Sequence, residues 1–258
     1  MWNTLILNPM INTLLLIYSF IGENFGLAII LFTILVRLIT YPLTASQMKS
    51  TQAMQNLQKS KKWQEIQKKY KDDREKLAQE QMKVYKEMGV SPFGSCLPTL
   101  IQLPIIFGLY QAISRALAVT PIQLLDLSRN VYPFINAASL IPLNNRFLWM
   151  DLSLAEKDFG LAIAGIGIPI LAILVVISTY LQSKLMTPTA SPGEQGAQMT
   201  QAMNLYMPFF MGYLAYSFSS GLALYFVTSN LVGILQYAVM GKLDWRNLIP
   251  GKKPGTKE

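Results

Sequence analysis

Histidine is absent from the 258 residues and cysteine occurs once, as Cys96. Those two shortages exclude an intramolecular disulfide and a zinc site of Cys/His type. They also remove the base of a Ser–His hydrolase. Charge is scarce as well: Asp, Glu, Lys and Arg make up 14% of the chain, where a soluble domain carries roughly 25%. The first 36 residues hold no Lys or Arg, so no basic region precedes the apolar stretch Leu5–Phe20 and a cleavable signal peptide is not expected there. No P-loop occurs, so no internal nucleotide-driven energy source is expected.

What remains is apolar. Hydrophobic residues are 52% of the chain and the mean hydropathy is +0.32. They fall in runs of the length that crosses a hydrocarbon core, which takes about 20 helical residues. The expected fold is an all-α integral membrane protein with five transmembrane helices, at Phe25–Leu43, Phe93–Leu117, Phe159–Leu181, Met203–Phe218 and Leu222–Met240. The last two are divided at the SFSSGL turn. Residues 1–24 are expected to form an N-terminal interfacial amphipathic helix, broken early by Asn8, Pro9 and Asn12, with a sixth span as the alternative. Residues 25–240 form the core and 241–258 a basic tail.

Positive charge orients the spans. The net charge is +8, and most of it flanks apolar runs rather than forming a nucleic-acid surface. Eleven Lys/Arg fall between Thr44 and Pro92, three between Ala118 and Asp158, and five after Met240. The positive-inside rule then places the 44–92 loop and the tail in the cytoplasm and the amino terminus outside. An even number of spans, four, separates the two basic regions, as this requires. The 44–92 loop has no Gly or Pro from Ala45 to Met88. Its composition predicts a cytoplasmic helical hairpin turning near Lys69–Asp73, either a solvated charged element or a capture surface for another chain.

Arg37 lies inside the first span, where an arginine costs roughly 2.5–3.5 kcal/mol on insertion scales. No Asp or Glu occurs in the five expected spans. The partners the sequence offers Arg37 there are uncharged polar groups, water or a guest chain, and no carboxylate relay for proton coupling is present. Thr33 lies one turn away on the same face. Gln102 lies in the second span, Ser178 and Gln182 share a face of the third, and Phe226, Asn230 and Tyr237 form one stripe of the fifth. Together Arg37, Thr33, Gln102, Ser178 and Asn230 are the expected lining of a hydrophilic groove; singly, each polar residue also suits a helix–helix hydrogen bond. Met199, Met203, Met207 and Met211 recur every four residues, a flexible wall suited to varied apolar partners or to ordinary packing.

Five ordered blocks carry a family resemblance: GLAIILFTILVRLITYPLT, KKWQEIQKKYKDDREKLAQEQMKVYKEMGVSP, CLPTLIQLPIIFGLY, FLWMDLS and GLALYFVTSNLVGILQ. Over roughly residues 8–240 the chain resembles the YidC-type (Oxa/Alb) membrane protein insertases. That resemblance implies a five-helix core around a groove open to the cytoplasm and the lipid and closed on the outer side. It implies that Arg37 is the groove's positive residue and that Gln102 lines it. Thr33, Ile106 and Phe226 match positions that touch a client. Tyr225, Met203 and Met207 join the expected client-contact set.

The implied partners are nascent membrane proteins, membrane lipids, the Sec translocon, and the ribosome or signal-recognition targeting machinery. The implied home is the bacterial inner membrane. The expected function is moving the hydrophilic ends of clients across the bilayer and releasing their transmembrane helices into lipid, without enzymatic chemistry, metal or cofactor. A small-solute transporter or channel is the alternative; it would need internal repeats or ion-coupling groups that these spans do not display. The chain departs from the family pattern at Ser219 and Ser220, where many relatives carry a proline-containing turn, and at Lys59, where proline is common.

Overall fold

The computed structural model describes residues 1–58, 60–70, 73–89, 97–117, 120–135, 140, 142–159, 161–163, 166–186 and 195–241. Within these, the side chains of 51, 55, 74, 97–102, 159, 161–163, 166–168, 186 and 195–204 lie outside the description. The chain is mostly helical and divides into two compact units. One comprises Met1–Leu38, Ile105–Thr187 and Ala202–Glu258, the other Ile39–Pro104 and Pro188–Gln201.

In the first unit, a π-helical turn at Asn3–Leu7 runs into α1 (Asn8–Phe20). Pro9 follows the π-helical turn and donates no hydrogen bond back into it, and the left-handed Gly22 and Glu23 end α1. Asn24 then accepts the Leu27 N–H at 3.0 Å and caps α2 (Phe25–Ile39). Leu7, Ile11, Leu14, Leu15 and Tyr18 form the buried face of the N-terminal helix, spaced by three and four residues as a helical stripe requires. They join Phe25, Ile29, Phe32, Leu109, Ile113, Leu171, Val175 and Leu222–Phe226 in one core. Asn12 stitches α1 to the loop beyond α7 (Pro121–Asn130): it donates to the Asn130 carbonyl at 3.0 Å and accepts the Tyr132 N–H at 2.6 Å.

By length and composition, Asn3–Phe20 and Ser220–Val239 are each apolar and long enough to cross a membrane. Phe25–Ile39 qualifies together with the following Tyr41–Gln58, and Ile170–Leu185 is a shorter apolar helix. The remaining long helices are α6 (Leu97–Ala116), α9 (Ile170–Met186), α10 (Gln195–Ser217) and α11 (Ser220–Val239).

The third expected span is displaced. It was expected at Phe159–Leu181, but α8 occupies Glu156–Phe159, short strands β3 (Leu161–Ile163) and β4 (Ile166–Ile168) follow, and α9 begins only at Ile170. The reason is local. Gly160, Gly165 and Gly167 each cost about 1 kcal/mol in a helix, and Pro169 disfavours helical backbone at Ile168. A second antiparallel pair, β1 (Arg146–Phe147) with β2 (Met150–Asp151), was also not expected. The Phe147 ring lies where a side chain at Gly26 would be, 2.2 Å from an added Cβ, so Gly26 is what lets this loop lie on α2.

The second unit contains α3 (Tyr41–Gln58), α4 (Lys61–Lys69) and α5 (Arg74–Glu87). Ser60 caps α4 by accepting the Trp63 N–H, and Asp73 caps α5 by accepting the Lys76 N–H at 3.1 Å. The expected turn near Lys69–Asp73 falls between these two helices. With the end of α3 they hold a small core: Leu57, Trp63 and Val84, flanked by Ile66 and Tyr85. The Trp63 and Tyr85 rings are 5.2 Å apart, and Lys62 is ion-paired to Glu87 across the pair.

Trp63→Ala should destabilise the α4–α5 pair by about 3 kcal/mol, the lower end for such core truncations. Limited trypsin digestion should then cut faster within residues 61–87, with the first unit unaffected. The Lys76 backbone N–H, aided by its ammonium, holds the Asp73 carboxyl below the usual range. Its capping contribution is therefore complete above the ordinary carboxylate value and disappears as pH falls through the lowered one. Backbone chemical shifts of residues 74–77 should report this fraying in acid.

Candidate functional site: a buried arginine between apolar helices

Arg37 sits in the last turn of α2, a helix otherwise built from Leu, Ile, Val, Phe and Ala with one Thr and one Gly. Its half-buried guanidinium turns toward α11. There Nε at 3.0 Å and Nη2 at 2.6 Å both donate to the Ser229 hydroxyl oxygen. One turn on, Gly233 carries no side chain: a Cβ there would lie 2.7 Å from Gln182 Nε2 and 3.7 Å from Arg37 Nη1. The glycine is what allows an amide from α9 and a guanidinium from α2 to approach the same stretch of α11. Gln236 completes the face, with its Nε2 donating to the Arg37 carbonyl at 2.9 Å while its Oε1 is buried without a hydrogen-bond partner among the described residues. Tyr225 and Tyr237 lie within electrostatic range of the guanidinium.

Adjacent residues of α11 face different neighbours. Ser229 meets α2, whereas Asn230 meets α9, its Nδ2 donating to Ser178 Oγ at 3.0 Å and to Thr179 Oγ1 at 2.9 Å. Ser178 is itself buried and donates to the Val175 carbonyl. α11 is therefore the shared wall of two polar contacts, one to the arginine and one to α9, and it packs along α9.

Of the groove residues expected from sequence, Ser178 and Asn230 touch directly. Thr33 is fully buried, and its hydroxyl donates to the Ile29 carbonyl of its own helix at 2.6 Å. The Gln102 side chain lies outside the described residues. Of the expected client contacts, Ile106 is partly buried against the core, Met207 is half-buried, and Tyr225 and Phe226 are core residues. The Met203 side chain lies outside the described residues.

Sequence reasoning missed Ser229, Thr179 and Gln236. The signal was present, because 229, 233 and 236 follow an i, i+4, i+7 pattern of small or polar residues on an otherwise apolar helix. A separate concavity of about 460 Å³ lies between α9 and α10. Pro169, Ala172, Ile173, Val176 and Ile177 form one wall and Phe209, Gly212, Tyr213 and Tyr216 the other. It is apolar and contains none of the residues around Arg37.

These features define a helical membrane protein that holds a cation among apolar helices by polar contacts. The chain belongs to the 60Kd inner membrane protein family, which it matches over residues 16–246. It is 36% identical to the membrane protein insertase YidC of Oceanobacillus iheyensis, over 93% of this chain and 84% of that protein. It is 34% identical to the membrane protein insertase MisCA of Bacillus subtilis, over 100% of this chain and 86% of that one. Its fold is similar to the crystal structure of an active YidC insertase with the first transmembrane domain resolved, with a TM-score of 0.55 and 28% identity. That match covers 87% of this chain and 43% of that one. The family is the one the five sequence blocks indicate, and the protein is a bacterial inner membrane protein.

Asn230→Ala should lower the unfolding free energy in mixed micelles by about 0.6–1.7 kcal/mol, the span measured for interhelical hydrogen bonds in a membrane protein. Combined with Ser178→Ala, the loss should fall short of the sum of the two single changes, because they share one bond. Strict additivity would mean that the contact carries no energy.

Proposed function

We propose that this protein is a membrane protein insertase that carries the hydrophilic ends of client proteins across the inner membrane and releases their apolar segments into lipid. The observation that carries this reading is the Arg37 guanidinium, held by Ser229 between helices that are otherwise apolar. The names of the relatives point the same way. In this reading α2, α6, α9, α10 and α11 are the five spans. The amino terminus lies outside with the N-terminal helix at the interface, and α3–α5 and the tail are cytoplasmic, as the lysine and arginine distribution favours.

The difficulty for a client is its polar end. A single Asp costs about 2.5–3.5 kcal/mol at the bilayer centre. Two unit charges 4 Å apart attract by about 4 kcal/mol at an effective dielectric constant of 20. Contact with Arg37 is thus of the size needed to offset one acidic residue, and small enough for the residue to move on. The exchange is favourable because a carboxylate brings a full negative charge and two acceptor oxygens, where the Ser229 hydroxyl is neutral and offers one oxygen to both donors. Thr33, Gln102, Ser178 and Asn230 line the path in this reading. Ile106, Met203 and Met207 meet the client's apolar segment, with Tyr225 and Phe226 reached once the segment parts the walls. Burial of that segment in lipid supplies the driving force. The partners are nascent membrane proteins and lipid, with the Sec translocon and the ribosome or its targeting machinery delivering the chains.

Proteoliposomes containing only this protein test the proposal, with a single-span client carrying either an acidic or a neutral outer tail. Arg37→Ala should slow insertion of the acidic-tailed client roughly tenfold, equivalent to ~1.4 kcal/mol of barrier, and the neutral one much less. Arg37→Lys should retain most activity. Equal insertion by all variants would remove the charge from the mechanism, and no insertion above empty liposomes would overturn the insertase reading.

A further inference from the structure

At the starts of α9 and α11, before the Ser178–Asn230 and Arg37–Ser229 contacts that lie midway along them, one short segment of the loop before α9 holds both helices. The Leu152 carbonyl accepts the Gly221 N–H at 3.1 Å, and the Leu154 carbonyl accepts both the Ser220 N–H at 2.8 Å and the Ser220 hydroxyl at 2.9 Å. Ala155 pairs antiparallel with Ser219. Glu156, 2% exposed, then reaches the first turn of α9, where Oε1 accepts the Leu171 N–H at 2.7 Å and Oε2 the Ala172 N–H at 2.8 Å. Helix N-termini present unsatisfied N–H groups and a positive dipole end, which a carboxylate answers on both counts. The segment is braced from behind by Asp151, which accepts from the Ser153 N–H at 2.9 Å and from Asn145 Nδ2 at 2.9 and 3.0 Å. Gly221 leaves it room: an added Cβ would lie 2.9 Å from Ile113, 3.2 Å from Ile29 and 3.3 Å from the Leu152 carbonyl.

The starts of α9 and α11 are therefore joined here by hydrogen bonds to a third piece of chain, outside the hydrogen bonds internal to either helix. The charge asymmetry puts this end outside. In the insertase reading, a hydrophilic client end that has passed Arg37 leaves on this side, and the space between the starts of the two helices is where this segment stands.

We propose that residues 152–156 are an outer latch that closes the far end of the polar path and parts to let the client's end out, with Glu156 as the residue that positions it. The proposal rests on the insertase reading above. Ala155 and Ser219 offer the means to test it. The Ser220 N–H to Leu154 carbonyl bond flanks their pairing, so the two occupy a narrow, non-hydrogen-bonded position of an antiparallel bridge. Cα atoms come to about 4.5 Å at such a position, within the roughly 4.4–6.8 Å a disulfide spans.

In full-length protein with Cys96→Ser, the pair Ala155→Cys and Ser219→Cys is oxidised, reconstituted and assayed before and after reduction. Oxidised protein should insert client about tenfold more slowly than the same sample once reduced, while a photo-crosslinker at position 106 still captures client. Equal rates in the two redox states, matching the Cys96→Ser parent, would overturn the latch. Failure of that parent to insert anything would instead overturn the insertase reading on which the latch rests. Glu156→Ala should raise leakage of a trapped small anion several-fold, with Glu156→Asp restoring part of the seal. Unchanged leakage together with an unchanged insertion rate would remove Glu156 from this role.

Discussion

The constraint on which this structure turns is the cost of keeping a guanidinium among apolar helices. Arginine has five donors and no acceptor and stays charged under all ordinary conditions. A helix surface facing it must therefore supply acceptors and space. α11 does both along one stripe: a hydroxyl at Ser229, no side chain at Gly233, and an amide at Gln236 that grips the backbone carbonyl of Arg37 itself. The same helix keeps another polar residue, Asn230, for α9. One arginine thus accounts for the residues at 229, 233 and 236 of a largely apolar helix.

At the start of α9 a buried charge of opposite sign is handled differently. Glu156 has no side-chain partner among the described residues; its two oxygens are taken by main-chain N–H groups. Main-chain donors at a helix start are fixed in direction, so this arrangement locates α9 with little freedom. A hydroxyl that accepts from a long arginine side chain is a looser arrangement. The carboxylate sets where α9 starts while the segment is seated, and the hydroxyl lets a charge exchange partners.

Much of this was legible in the sequence and some was not. The apolar runs, the placement of Arg37 and the breaks around Asn24 and Asp73 follow from composition and capping chemistry, which act over a few residues; the further break at Ser60, which divides the expected first helix of the hairpin into α3 and α4, was not expected. The start of α9 was misplaced because hydropathy weighs Gly160, Gly165, Gly167 and Pro169 only lightly, whereas backbone geometry weighs them heavily. Glu156 gave no local sign of its role, because the N–H groups it caps lie 15 and 16 residues further on. Ser229 was passed over for its neighbour Asn230: both are polar, and which of two adjacent residues faces the arginine depends on helix rotation, which packing fixes.

The separation of Arg37 from its partner has a consequence for how the protein is made. Ser229 follows Arg37 by 192 residues. At about 5–20 residues per second of synthesis, it emerges roughly 10–40 s later. During that interval the arginine is already in a membrane-bound segment while the helix that answers it does not yet exist. The loop residues that bind the start of α11 wait in the same way for Ser219–Gly221. The polar interior is therefore a product of the last hairpin: until α10 and α11 arrive, the nascent chain must shelter a charged side chain by other means, from water, lipid headgroups or a finished insertion machine nearby.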